Sequence, residues 1–171
     1  AFEGFGEIAR EVLQVAGTTL DWVPRTREDF GELALVAVLN DGDALEFVPE
    51  DRDDYFDIAR AAVQTNSDAL RFVPPNYQYF SEVAVVALAG DGKALEHVPQ
   101  DRTDYADLAN IAVMQNGHAL EYVLPGEPYY VALAKIAVQR TPYALQDVDG
   151  LWSGSLSPED YIAICEVAVR G

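Results

Sequence analysis

One cysteine, Cys165, stands among 171 residues, so no intrachain disulfide can staple this chain. Its column is otherwise alanine, and the thiol is expected to act as a small buried hydrophobe. Long apolar runs are missing as well. None approaches the roughly 18 residues that a membrane-spanning helix needs, so no membrane partner is expected. The opening residues, Ala1-Phe2-Glu3-Gly4, show no basic stretch leading into an apolar one, and no signal peptide is read there. Positive charge is scarce: Lys93 and Lys135 are the only lysines, 11 basic residues face 29 acidic ones, and the formal net charge is −18. A field of that sign repels phosphate backbones, which excludes nucleic acid as an expected partner and favours a basic protein or peptide.

Catalytic chemistry finds little to work with. The two histidines, His97 and His118, have no cysteine or second histidine at ligand spacing, so no zinc or other metal site is expected. His97 falls in an aromatic column and should pack as a ring; His118 falls in a turn column and should be exposed. Asp147-Val148-Asp149-Gly150 has the start of a calcium loop but not the glutamate that should follow. Paired carboxylates such as Asp53-Asp54 recur at helix starts, where capping explains them without an acid–base pair. No phosphate-binding glycine loop, nucleophile elbow or Cys–His arrangement is present. The chain is therefore read as non-catalytic and without a cofactor.

What the chain has in abundance is rhythm. Phe5, Phe30, Tyr55, Phe80, Tyr105 and Tyr130 recur every 25 positions. Ile8, Leu33, Ile58, Val83, Leu108 and Leu133 keep step, as do the alanines one place further on and the leucines from Leu20 to Leu145. A fixed period of this size marks a stack of similar units. A seventh register opens at Tyr161 after an insertion, Gly150 to Leu156, whose Trp152 either plugs the end of the core or marks a contact. Residues 1–171 are thus read as one helical-repeat domain.

Within a unit, Tyr55, Ile58, Ala59, Ala62 and Val63 fall on one stripe of a helix of about 12 residues. Thr26, Asp51, Asn76, Asp101, Gly126 and Ser157 are expected to stand at the helix N-termini, mostly as caps, with Pro158 at the first helical position. Asp41-Gly42, Asp91-Gly92 and Asn116-Gly117 are expected to stop the helices through a left-handed glycine. A short helix, Ala44 to Val48, then closes at Pro49. The fold class is all-α: a solenoid of about six and a half helical hairpins, each too small to bury its apolar face alone.

The phrases Ala62-Val63-Gln64-Thr65-Asn66-Ser67-Asp68-Ala69-Leu70 and Ala112-Val113-Met114-Gln115-Asn116-Gly117-His118-Ala119-Leu120-Glu121-Tyr122-Val123 approximate one pattern, A-V-x-x-N-G-x-A-L-x-x-V, with Ser67 in the glycine place of the first. That pattern resembles the short α-helical repeats of a domain family of unknown function, and the likeness runs from about Phe30 to Val148. The first unit departs most, with Gly17-Thr18-Thr19 at the turn and Val12 in an alanine column. The resemblance implies an interaction segment of the kind found in large bacterial proteins, effector-like ones included. It implies no catalytic residue. The expected compartment is the cytoplasm of the producing cell, or wherever a secreted effector-like protein carries the segment.

The variable columns point to a surface. Two residues after each aromatic stand Glu7, Glu32, Asp57, Glu82 and Asp107. Five and nine places after it come Leu35, Leu39, Arg60, Val85, Ala89 and Met114, several apolar where a solvated helix would be polar. Acids bordered by apolar side chains suit a basic, amphipathic segment of a partner protein. The partner-binding candidates are therefore Glu32, Leu35, Leu39, Asp57, Arg60, Glu82, Val85, Asp107 and Met114. Burial of the apolar members by neighbouring short helices is an equal alternative at this point. Two other roles stay open: a structural spacer between domains, and a mimic of nucleic-acid charge.

Overall fold

The computed structural model describes residues 4–148 and 155–170, so Trp152 and the Asp149-Gly150 pair lie outside the described residues. Every regular element among them is helical. Long α-helices alternate with six-residue 3₁₀ helices, and within each of two compact units consecutive pairs pack in sequence, the α-solenoid pattern that the 25-residue rhythm announces. No described helix is long and apolar enough to cross a membrane. The chain divides into two compact units, Ala1–Ala87 and Leu88–Gly171.

The first unit holds α1 (Phe5–Leu13), η1 (Gly17–Trp22), α2 (Phe30–Asn40), η2 (Gly42–Phe47), α3 (Tyr55–Thr65), η3 (Ser67–Phe72) and the larger part of α4 (Phe80–Gly90). Its core is the stripe that the sequence shows. Phe30, Leu33, Ala34, Ala37 and Val38 are each 0% exposed, and Leu20, Leu45 and Leu70 close the core from the short helices. Within it α2 packs on α1 and η1, and α3 packs on α2 and η2.

Three local expectations are corrected here. Helices α2 and α3 begin at the aromatic itself, so their capping residues are Asp29 and Asp54, neither of which makes a side-chain cap bond. Thr26 and Asp51 belong to the turns before them. The aspartates instead grip arginines: Arg27 Nε and Nη2 donate to Asp29 at 2.7 and 2.8 Å, and Arg52 donates to Asp54 at 2.7 Å from both nitrogens. Second, the Asp-Gly pair is not a left-handed stop. No glycine there has positive φ, and Asp41 is extended, its carboxylate accepting the Asp43 N–H at 3.1 Å to cap the short helix. The glycine answers a steric demand, because a Cβ on Gly42 would lie 2.6 Å from the Ala62 carbonyl oxygen of α3. Third, Ile8 occupies a column buried elsewhere yet is 62% exposed.

The second unit holds the last residues of α4, then η4 (Gly92–His97), α5 (Tyr105–Gln115), η5 (Gly117–Tyr122), α6 (Tyr130–Arg140), η6 (Pro142–Asp147) and α7 (Pro158–Arg170). The same rules build it. Asp104 and Tyr129, not Asp101 and Gly126, stand at the starts of α5 and α6. Arg102 forks onto Asp104 at 2.8 and 3.0 Å. Asp91 and Asn116 cap the short helices. A side-chain amide also ties neighbouring repeats: Gln115 accepts the Gly92 N–H at 2.8 Å and donates to the Gly90 carbonyl at 3.1 Å. Ser157 is a cap as expected, its Oγ accepting the Asp160 N–H at 3.1 Å. The terminal half-unit, α7, packs on α6 and η6. Cys165 on it is half-buried rather than buried, and His118 is half-buried rather than exposed, its Nδ1 lying 2.5 Å from Asp147 Oδ2. His97 is half-buried in its aromatic column.

Tyr105 supplies a pH test of this unit. Its ring is 2% exposed, its hydroxyl donates to the Tyr122 carbonyl at 2.8 Å, and burial pushes its pKa up to about 12. An unfolded tyrosine ionises near pH ~10. The stability held in the neutral phenol is therefore complete below pH ~10 and lost as pH rises toward ~12. Melting temperature followed from pH 8 to pH 12 should fall less steeply for Tyr105→Phe than for the parent. Parallel curves would count against a buried phenol.

Candidate interaction surface

On an α-helix, positions two, five and nine after the opening aromatic share one face, opposite the core stripe. In the first unit that face carries Glu32, Leu35 and Leu39 on α2, Asp57 and Arg60 on α3, and Glu82 and Val85 on α4, all of them exposed. Leu35 is 38% exposed, Leu39 60% and Val85 40%, so the short helices do not cover them. In the second unit α5 presents Asp107 and Met114, the latter 45% exposed. Helices α2 and α5 thus each carry an acid near the N-terminal end and an exposed apolar side chain seven residues on, about 10 Å along the axis. Helix α4 pairs Glu82 with Val85, whereas the same face of α3 carries Arg60 and Gln64 and that of α6 carries Ala132, Lys135 and Gln139.

The apolar ends gather into clefts. Between α1 and α2, Gln14, Val36, Leu39 and Asn40 line a depression of about 300 Å³. Between α5 and α6, Met114, Ile136, Gln139 and Arg140 line one of about 490 Å³. The two occupy equivalent repeat positions, so the cleft belongs to the repeat geometry. The cleft in the first unit is braced from below, where Asn40 accepts the Gly17 N–H at 3.1 Å and donates to the Gln14 carbonyl at 2.6 Å.

The acids are unequal. Glu32 already meets Arg10 of α1 at 3.0 Å, an exposed pair of little energetic weight. Asp57 and Glu82 act on a tyrosine instead. The Tyr77 hydroxyl is held above its ordinary pKa by burial first, then by Tyr79, Asp57 and Glu82. The carboxylates displaced downward, Asp29 and Asp54, are those whose forked arginines stabilise the ionised form. They serve the junctions between repeats.

A family model described as a domain of unknown function, DUF4116, matches residues 32–78. The match runs from the first turn of α2 to the turn before α4, close to two repeats. It takes in the Ala62 to Leu70 phrase and five of the seven first-unit candidates: Glu32, Leu35, Leu39, Asp57 and Arg60. No curated protein matches the chain, and no solved structure matches it.

The loop at Tyr77-Gln78-Tyr79 is not among the residues expected from sequence. The signal was available: residues 27–29, 52–54 and 102–104 read Arg-x-Asp, whereas 77–79 read Tyr-x-Tyr. In the structure Tyr77 lies edge-on to Tyr55 with ring centroids 5.0 Å apart, and Tyr79 lies 5.3 Å from Phe56.

Proposed function

We propose that this chain is a non-catalytic protein-interaction module whose long-helix face receives a basic, amphipathic segment of a partner protein. The observation carrying this reading is the pairing, on one face of α2, of α4 and of α5, of an exposed acid with an exposed apolar side chain. Each cleft suits an apolar anchor of a helix or extended peptide, and an acid beside it suits a neighbouring cation of that segment. A net charge of −18 speeds the encounter with such a segment.

The test is binding of a 16-residue lysine–leucine amphipathic peptide, followed by calorimetry at low and physiological salt. Reversing Glu32, Asp57 and Glu82 to lysine should weaken binding at least tenfold. The control reverses Glu46, Glu96 and Glu121, exposed acids of the short helices, so the net charge changes equally. Equal losses in both variants would reduce the effect to overall charge and sink the site.

A second reading, a scaffold element joined to further helices, draws on one observation. Phe5, Ile8, Val12, Leu13, Trp22 and Val23 line an apolar cavity of about 420 Å³ at α1, with Trp22 85% exposed. Their counterparts Phe30, Leu33 and Ala37 are buried in the core between packed repeats. A neighbouring element seated there would shift Trp22 fluorescence to the blue.

A further inference from the structure

The junctions of the first unit differ in one respect that bears on ligand chemistry. Where residues 27–29 and 52–54 form the Arg–Asp fork, the guanidinium lies over the aromatic that opens the preceding long helix. Arg27 sits 4.6 Å from the Phe5 centroid, and Arg52 sits 5.1 Å from the Phe30 centroid. The residue after that aromatic is then glycine: a Cβ on Gly31 would lie 2.0 Å from Asp54 Oδ2. At the third junction both halves change together. Tyr77 and Tyr79 replace the fork, and Phe56 fills the place of the glycine. The repeat's own cation has been exchanged for three aromatic rings packed 5.0 to 5.8 Å apart with Tyr55.

Those rings border a cavity of about 510 Å³, within the size range of ligand sites, whose other wall carries Glu50, Asp51 and Asp53. Arg52 also reaches this wall, but both of its fork nitrogens are committed to Asp54. The field is negative from both sides. Glu50 opposes ionisation of Tyr55 after burial, and Asp57 and Glu82 oppose that of Tyr77. Aromatic faces with carboxylates about them bind organic cations, and arginine adds planar stacking to the charge.

We propose that the cavity bounded by Phe56, Tyr77, Tyr79, Glu50, Asp51 and Asp53 binds an arginine side chain presented by a partner. The guanidinium lies against the tyrosine rings, as Arg27 and Arg52 lie against Phe5 and Phe30, and the carboxylates take its N–H groups. This deepens the interaction reading above and rests on it for the source of the arginine.

The probe is acetyl-Gly-Arg-Gly-amide, titrated against the full chain while the aromatic resonances of Phe56, Tyr77 and Tyr79 are followed by NMR. Saturable shifts are expected, at least fivefold weaker with lysine in place of arginine and absent with citrulline, its neutral isostere. Combining Phe56→Gly, Tyr77→Arg and Tyr79→Asp transplants the α2 junction onto α3 and should weaken binding at least tenfold. Tyr79→Leu, at an exposed position, should weaken it severalfold without altering the melting temperature, which guards against misfolding of the triple variant. Citrulline binding as well as arginine, or a folded triple variant binding as the parent does, overturns the proposal. The two readings fail separately. If the 16-residue lysine–leucine peptide binds through Glu32, Asp57 and Glu82 but the arginine probe does not, only this site falls. If the arginine probe binds and that peptide does not, only the long-helix face falls.

Discussion

Replacing Phe30 by alanine is expected to cost about 3–5 kcal/mol, a large part of the ~5–15 kcal/mol that holds a domain folded. The ring is 0% exposed and opens the stripe completed by Leu33, Ala34, Ala37 and Val38, so nothing outside the core can relax into the space. A second loss adds to the cavity. The Phe30 ring lies under the Arg52 guanidinium at 5.1 Å, and removing it leaves the Arg52–Asp54 fork without its floor. Urea unfolding of the full chain measures the loss. Tyr55→Phe is the contrasting change, since it keeps the ring and removes only a hydroxyl that donates to the Phe72 carbonyl at 3.3 Å. That change should cost about 1 kcal/mol. If Phe30→Ala costs no more than Tyr55→Phe, the 25-residue column is not the core.

The columns were legible because burial writes its period directly into residue type. Tyr55, Ile58, Ala59, Ala62 and Val63 had to be apolar at helical spacing, and each is at most 2% exposed. The exposed acids were legible for the converse reason. Features that answer to another repeat were not. His118 meets Asp147, 29 residues on, and Asn66 donates to Asp43, 23 residues back; no local pattern carries such a pair. The aspartates before α2 and α3 carry no local mark of their role, and only the approach of Arg27 and Arg52 reveals them as half of a fork. The tyrosines at 77 and 79 acquire meaning only beside those forks. A residue's own helix is visible in sequence, whereas its partner across a junction waits on geometry.

The glycines show the same limit, and they yield a sharp test. A glycine after Asp or Asn at a helix end reads as a left-handed cap, yet Gly42 and Gly92 have no positive φ. What they lack is room. A Cβ on Gly92 would stand 2.3 Å from the Ala112 carbonyl oxygen of α5 and 3.1 Å from its carbonyl carbon. Both obstacles are backbone atoms of a packed helix, which cannot swing aside as a side-chain end can. Alanine gains up to about 1 kcal/mol over glycine in helix propensity. Overpacking of a tight interface costs about 1–3 kcal/mol and occasionally more. With contact this short the steric term wins, so Gly92→Ala should lose about 2–3 kcal/mol in urea unfolding. Gly126→Ala is the control, since nothing lies within 4 Å of its Cβ, and it should stay within about 0.5 kcal/mol of the parent. Asparagine separates the two explanations. A left-handed position tolerates Asn better than Ala, whereas a close approach rejects Asn more strongly because it is larger. Gly92→Asn should therefore be less stable than Gly92→Ala. The reverse order would return the glycine to the role of a helix stop and remove the steric account of why these repeats sit so close.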